Sequence, residues 1–437
     1  FGGVCSGLAL FTSFLAAPVI GTLTIYVLSR QLWISDLLAS RLLRCGQILA
    51  GMLIGLAPLF LYNFYYFENP FLQANIAGNY QDTIFNPEIA RFWRHLQTYI
   101  GFGEISIWKY SPIAGLGFIG ILFFPKRLQA QQLFIIVALI LHLGYILNIE
   151  TIGHCQYGPR YLIPTQAIVI LGLAQLWSLA QNIAPGRWLL IILLIISSAI
   201  NAGGALGGTM YCSLPEHAFI KYFENLSQLA NIEFPLRKYC TFALLLFAGY
   251  VGMRRTPGKD WPPALALDRF GVQSQIAKWF PLTLAILIAF AYFVLCKEMR
   301  SPYDYTFRVA MALLDGTPCL TTHPGGWLNE LVPWEGCFYS AFPLGSVLSL
   351  VPYALLVKFG IVSGYYSILI VVLLGFFGSL LSYFLARHFF PRSCSRPLLI
   401  ALLFSFGTWH FVNLLSSGAW QIAIGIAVVA QIASLYF

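Results

Sequence analysis

The chain has 437 residues, of which 59% are hydrophobic and 9% charged, and its mean hydropathy is +0.76. A soluble domain carries about 25% charged residues, so soluble classes are excluded and the chain reads as an all-α, polytopic membrane protein. The formal charge of +9 fits basic loops on the cytoplasmic side of a bilayer and gives no sign of nucleic-acid binding.

Runs of about 20 apolar residues predict about twelve transmembrane helices, near 4–28, 44–66, 111–124, 131–149, 161–181, 187–207, 239–253, 280–297, 344–358, 364–386, 397–414 and 418–437. Those near 111, 239 and 344 are short enough to be tilted, broken or re-entrant. The sequence starts on Phe1 with no charged segment before the first run, so a signal peptide is not expected and the ends read as truncated. Three regions result: a membrane bundle over 1–253, a cytoplasmic linker over 254–279 rich in Pro and basic residues, and a membrane segment over 280–437 carrying a long outer loop at 298–343.

Lys and Arg set the orientation. Arg30, Arg41 and Arg44, then Lys126 and Arg127, then Arg187, then the 254–279 linker fall on one side, read as cytoplasmic. The alternate loops 67–110, 150–160, 208–238 and 298–343 hold most of the acids and read as outer. The alternation fails at Arg387, Arg392 and Arg396, which land outside if 344–358 spans. Re-entry of 344–358 or a local failure of the charge rule both account for it.

The 298–343 loop is where the chemistry concentrates. Asp304 follows directly on the helix ending near 297, and Asp315, Glu330 and Glu335 lie further along. Carboxylates gathered beside a bilayer are costly and mark functional sites, although a solvated loop would also carry them. Cys319 and Cys337 share this loop and are candidates for a disulfide; the other cysteines are scattered, with no metal-ligand spacing. Within 67–110, Pro87 followed by Ile89, Phe92, Trp93 and Leu96 predicts an interfacial amphipathic helix, whose Arg91, Arg94 and His95 face either lipid phosphates or the headgroup layer. In 150–164, ETIGHCQYGPRYLIP, residues His154, Tyr157 and Arg160 stand at a helix entrance. Arg offers a donor fork suited to phosphate, yet an interfacial anchor has the same signature.

Three stretches together resemble the membrane glycosyltransferases of the GT-C superfamily, in particular the bacterial branch akin to protein mannosyltransferases and aminoarabinose transferases. They are the helix leading into Asp304 and on through VAMALLDG to EGCFYSAFPLG, the APLFLYNFYYFENPF helix end with its Tyr-Asn and Asn-Pro turn, and HCQYGPRYLIPTQAIVIL. The order departs from the family: 280–437 resembles the beginning of such an enzyme and 1–253 its later part. The chain is then either a fragment of two tandem copies or one permuted copy. A single bundle would bring residues 1 and 437 together on the outer face, with helix 4–28 beside helix 418–437.

The resemblance implies sugar transfer from a polyprenyl-phosphate carrier to an acceptor at the outer face of a bacterial plasma or inner membrane. Asp304 is then the base, with Glu330 and Glu335 behind it. Arg160, helped by His154 or Tyr157, holds the lipid phosphate. No nucleotide cofactor is expected, a divalent metal stays open, and the acceptor is not identified. The rival readings are a transporter or flippase of a lipid-linked saccharide and a non-catalytic degenerate copy. No phosphate-cradling glycine loop supports an ATP-driven pump, and no helix carries a charged residue at mid-depth, where transporters place polar groups.

Overall fold

A computed structural model describes residues 1–33, 37–72, 74, 87–103, 105–149, 157–180, 183–207, 272–296, 303–325, 330–341, 344–390 and 395–437. His154, the apolar run 239–253, residues 254–271 of the basic segment and Arg392 lie outside them. The described chain is a helical bundle with one small hairpin. Among these residues seven helices are long and apolar enough to cross a membrane, or eight if one bent pair counts as a span. The chain is thus a polytopic integral membrane protein, with fewer spans described than the twelve expected from hydropathy.

The first expected helix, 4–28, is two. Helix α1 (Gly2–Thr12) stops where Ser13 turns extended, and α2 (Ala17–Trp33) follows after a short 3-10 turn. Helix α3 (Leu38–Phe67) runs alongside both. Cys45 Sγ meets the Leu28 carbonyl and Arg41 donates to the Leu32 carbonyl, so α2 and α3 are antiparallel. Val4 lies opposite Gly51 and Gly7 opposite Gly55, so α1 and α3 are parallel, and α1 and α2 form a helical hairpin. Lipid offers no hydrophobic drive for helix association, so close contact between small residues must supply it. A Cβ on Gly55 would stand 2.9 Å from the Gly7 Cα, which shows how closely these two backbones approach.

The remaining long helices are α4 (Ile89–Tyr99), α5 (Pro112–Gly120), α6 (Gln129–Ile146), α7 (Gln166–Ala180), α8 (Ala184–Gly207) and α9 (Val272–Leu295). After these come α10 (Tyr305–Leu314), strands β1 (Leu331–Trp334) and β2 (Cys337–Ser340), α11 (Leu344–Leu348), α12 (Val351–Lys358) and α13 (Ser367–Phe389). Helices α14 (Ser395–Phe406) and α15 (Trp409–Leu415) meet at a bend of 50°, and α16 (Ala419–Tyr436) closes the chain. The linker expected over 254–279 therefore ends earlier, because α9 already begins at Val272.

Residues 1 and 437 do meet, through the Phe1 and Phe437 rings 6.1 Å apart, and Ser6 bonds Ser434 at 2.6 Å. The expected face was wrong. The Ala419 amide donates to the Tyr303 carbonyl, so α16 begins at the polar-loop end. Eighteen residues at 1.5 Å each then carry it about 27 Å to the opposite end, where it meets Gly2. For residue 1 the broken first helix is the reason, since α1 and α2 return to the end they left; for residue 437 it is the run 344–358, which does not cross.

Residues 344–358 likewise stay on one side of the bundle. Helices α11 and α12 are short and stay at the loop end. A Cβ on Gly345 would stand 2.8 Å from the Thr12 amide nitrogen at the close of α1, and Lys358 returns to the Leu314 carbonyl and to Asp315 (2.8 Å) at the close of α10. The run does not cross. Helix α13 then descends from Ser367, which bonds Ser417 near the start of α16, past Gly375 beside Tyr292, to Tyr383 beside Phe280. Arg387 and Arg396 consequently join Arg30, Arg41, Arg44, Lys126 and Arg187 at the end opposite the polar loop, and the alternation of charge is restored.

Candidate functional site

The polar loop is built on α10 and the β1–β2 hairpin. Its register pairs Leu331 with Ser340 and Trp334 with Cys337. A disulfide joins Cys319 to Cys337, and Leu320 bridges to Phe338 alongside it. Aromatic side chains from the end of α3 pack beneath: Phe67 meets Tyr339 and Trp334, and Tyr62 donates to the Pro318 carbonyl. The Asn-Pro turn closes α3 through Asn63, which donates to the Pro70 carbonyl.

Arg160 sits where this loop meets the bundle. Gly158 takes a φ of +69°, a region favouring glycine, and turns the chain into a 3-10 stretch, Arg160–Thr165, that continues into α7. The guanidinium lies 4.5 Å over the Trp420 ring and 4.9 Å over the Tyr161 ring, and donates to the Tyr161 hydroxyl at 3.2 Å. Its Nε is buried with no hydrogen-bond partner among the described residues. Tyr99, at the end of α4, feels the Arg160 charge, which partly offsets the rise that burial imposes on its hydroxyl.

Glu330, at the foot of β1, is an acid on which the Arg160 charge acts. Burial pushes its carboxyl above the ordinary value, and the Arg160 guanidinium pulls part of the way back. Burial raises the Tyr303 hydroxyl as well, and the Glu330 charge raises it further. Since the Tyr303 carbonyl receives the Ala419 amide and Trp420 carries Arg160, the residues Arg160, Glu330 and Tyr303 converge over the start of α16. Asp304 follows Tyr303 directly. It stands at the N-cap of α10 without a side-chain cap bond, and its carboxylate is 2.9 Å from Arg308.

The other sequence candidates part from this cluster. Glu335 occupies the hairpin tip with a φ of +47°, exposed. Tyr157, expected to help hold phosphate, is a packing residue instead: it is buried, its hydroxyl donates to the Ile200 carbonyl at 2.7 Å, and its ring sits edge-on to Tyr110. The short Gly-Pro turn points it into the bundle while Arg160, three residues on, stays at the surface of it. The expected amphipathic helix forms as α4, but His95 turns inward and is buried, and Arg91 pairs with Glu88 at 2.9 Å. Ile89 and Trp93 take the exposed side.

Sequence reasoning missed Trp420, Tyr161 and Tyr303. Tyr161 was within reach, as the neighbour of Arg160. Trp420 lies 260 positions away and carries no local signal. Among the described residues no group of three His, Cys, Asp or Glu side chains is arranged to hold a metal ion.

The arrangement offers a cation held flat on aromatic faces with donors to spare, beside a carboxyl whose charged form is disfavoured. Such a pair is able to bind an anionic leaving group and to accept a proton next to it. Comparison with known proteins returns no match: no family model, no curated sequence and no solved structure is significantly similar to the chain.

Proposed function

We propose that the protein is a membrane glycosyltransferase that moves a sugar from a polyprenyl-phosphate carrier to an acceptor hydroxyl at the loop end of the bundle. The observation that carries this reading is the Arg160 guanidinium held over the Trp420 and Tyr161 rings with its buried Nε unpartnered among the described residues, its charge acting on the Glu330 carboxyl. In the reaction the acceptor oxygen attacks the anomeric carbon and the bond from that carbon to the phosphate oxygen breaks. Negative charge grows on the departing lipid phosphate, and Arg160 meets it with its fork. The acceptor proton passes to a carboxylate. Glu330 takes first place as base, since a raised pKa brings it closer to working pH and it shares the Arg160 environment. Asp304, already engaged by Arg308, stands second. The basic end is read as cytoplasmic, which puts the cluster on the extracytoplasmic side of a bacterial plasma membrane. The resemblance of GPRYLIP and of the Asp304 loop to GT-C enzymes supports the same reaction.

The test is transfer of radiolabelled sugar from a polyprenyl phosphate to lipid or protein acceptors by purified protein, alongside Glu330→Gln, which should lose transfer. Label appearing in an acceptor supports the reading; donor left intact under all acceptors tried defeats it. A transporter of lipid-linked saccharide is favoured by one observation. The α14–α15 helix is broken at Gly407, where buried His410 has an Nε2 without a partner among the described residues. Discontinuous helices of this kind bind cargo in transporters. Movement of labelled donor across proteoliposomes without transfer would select that reading.

A further inference from the structure

A second feature lies away from the loop. Helices α5, α7, α8 and α14 border a shallow, partly open groove, walled by Ile113, Leu173, Trp177, Leu194, Leu403 and Arg396. Among the described residues the lining is apolar apart from the Arg396 guanidinium and contains no acid. Neighbouring side chains on α8, Trp188, Leu189 and Ile195, are exposed, as expected of a surface facing hydrocarbon.

Two helical stripes lead down the groove to the basic end. On α14, Arg396, Leu399, Ile400 and Leu403 recur at the i, i+3, i+4, i+7 spacing of one helix face. On α8, Leu190 and Leu194 line the groove, and Arg187 stands one turn nearer the end at i−3 from Leu190. The Arg396 guanidinium rests 5.0 Å over the Phe390 ring, which keeps it at the mouth. The apolar wall above it runs about 10 Å along α14. An apolar slot in the hydrocarbon layer with two guanidinium positions at its headgroup end complements a molecule that is greasy and carries one phosphate.

We propose that this groove binds an anionic phospholipid of the leaflet at the basic end. One acyl chain lies along the open groove bordered by α7, α8 and α14, and the phosphodiester meets Arg396 and Arg187. The inference is independent of the glycosyltransferase reading, since it concerns the opposite end of the bundle.

The experiment uses the full chain in nanodiscs of phosphatidylcholine doped with phosphatidylglycerol, with retained lipid counted by native mass spectrometry. Wild type should keep phosphatidylglycerol over phosphatidylcholine. Arg396→Gln and Arg187→Gln should each reduce that retention about fivefold, as basic residues near an anionic surface do. Leu403→Trp should expel the chain. As a second readout, brominated phosphatidylglycerol should quench a fluorescence component that disappears in Trp177→Phe. Equal retention of both lipids by wild type, unchanged retention in both arginine variants, or retention of a polyprenyl phosphate in place of phosphatidylglycerol would overturn the proposal.

Discussion

Replacing Arg160 by Lys keeps the charge and removes the planar fork, so it separates binding by geometry from binding by charge. Arg160 lies over two rings, Trp420 at 4.5 Å and Tyr161 at 4.9 Å. A partly desolvated cation over a ring is worth about 1 kcal/mol, and an ammonium on a flexible stem keeps only part of that. A hydrogen bond to a charged group contributes about 1.5–3 kcal/mol, and Lys gives up the second bond of a bidentate pair. Together the loss is about 2–3 kcal/mol, a weakening of about 30- to 150-fold in the dissociation constant. The assay is calorimetric titration of a short-chain polyprenyl phosphate into protein held in nanodiscs, with thermal unfolding as a check that the variant is folded. Lys within threefold of wild type would show that the fork is not what holds the phosphate, and Arg160 would revert to an interfacial anchor.

Glu330→Gln should cut sugar transfer at least 100-fold while raising Tm at pH 7. The Glu330 carboxyl has a folded-state pKa above its unfolded one, so its contribution to stability is full below the unfolded value and is lost as pH rises through the folded value. Neutral Gln escapes that loss, so the gain in Tm should shrink towards pH 4; a gain that persists there would contradict this account. Replacing Cys319 and Cys337 by Ser opens a loop with a sequence separation of 18, which costs about 3 kcal/mol of loop stability. Limited proteolysis should then cut between 317 and 341, and cleavage no faster than in wild type would count against it. Gly7→Ala places a methyl against the Met52 carbonyl and the Gly55 backbone, so α1 must move off α3 at a cost of about 1–3 kcal/mol, read as a lower Tm in detergent.

The membrane class and the approximate helix positions were legible in the sequence because hydrocarbon imposes one rule on every span: an apolar run long enough to satisfy its own backbone hydrogen bonds. Arg160 and Glu330 were legible as candidates because charge beside a bilayer is conspicuous. Direction was not. Thr12, Ser13 and Pro18 interrupt the run of residues 4–28 only weakly, and hydropathy reads straight through the point where Ser13 turns the chain back. That single break decides on which face residue 1 lies. The same holds for 344–358, whose composition suits a span but whose ends are tied to Thr12 and Asp315 on one side of the bundle. Tertiary structure alone also brought the Glu330 carboxyl under the influence of the Arg160 charge and turned Tyr157 inward. Both follow from how distant elements pack, and neighbours brought together from positions 160, 303, 330 and 420 leave no trace in local sequence.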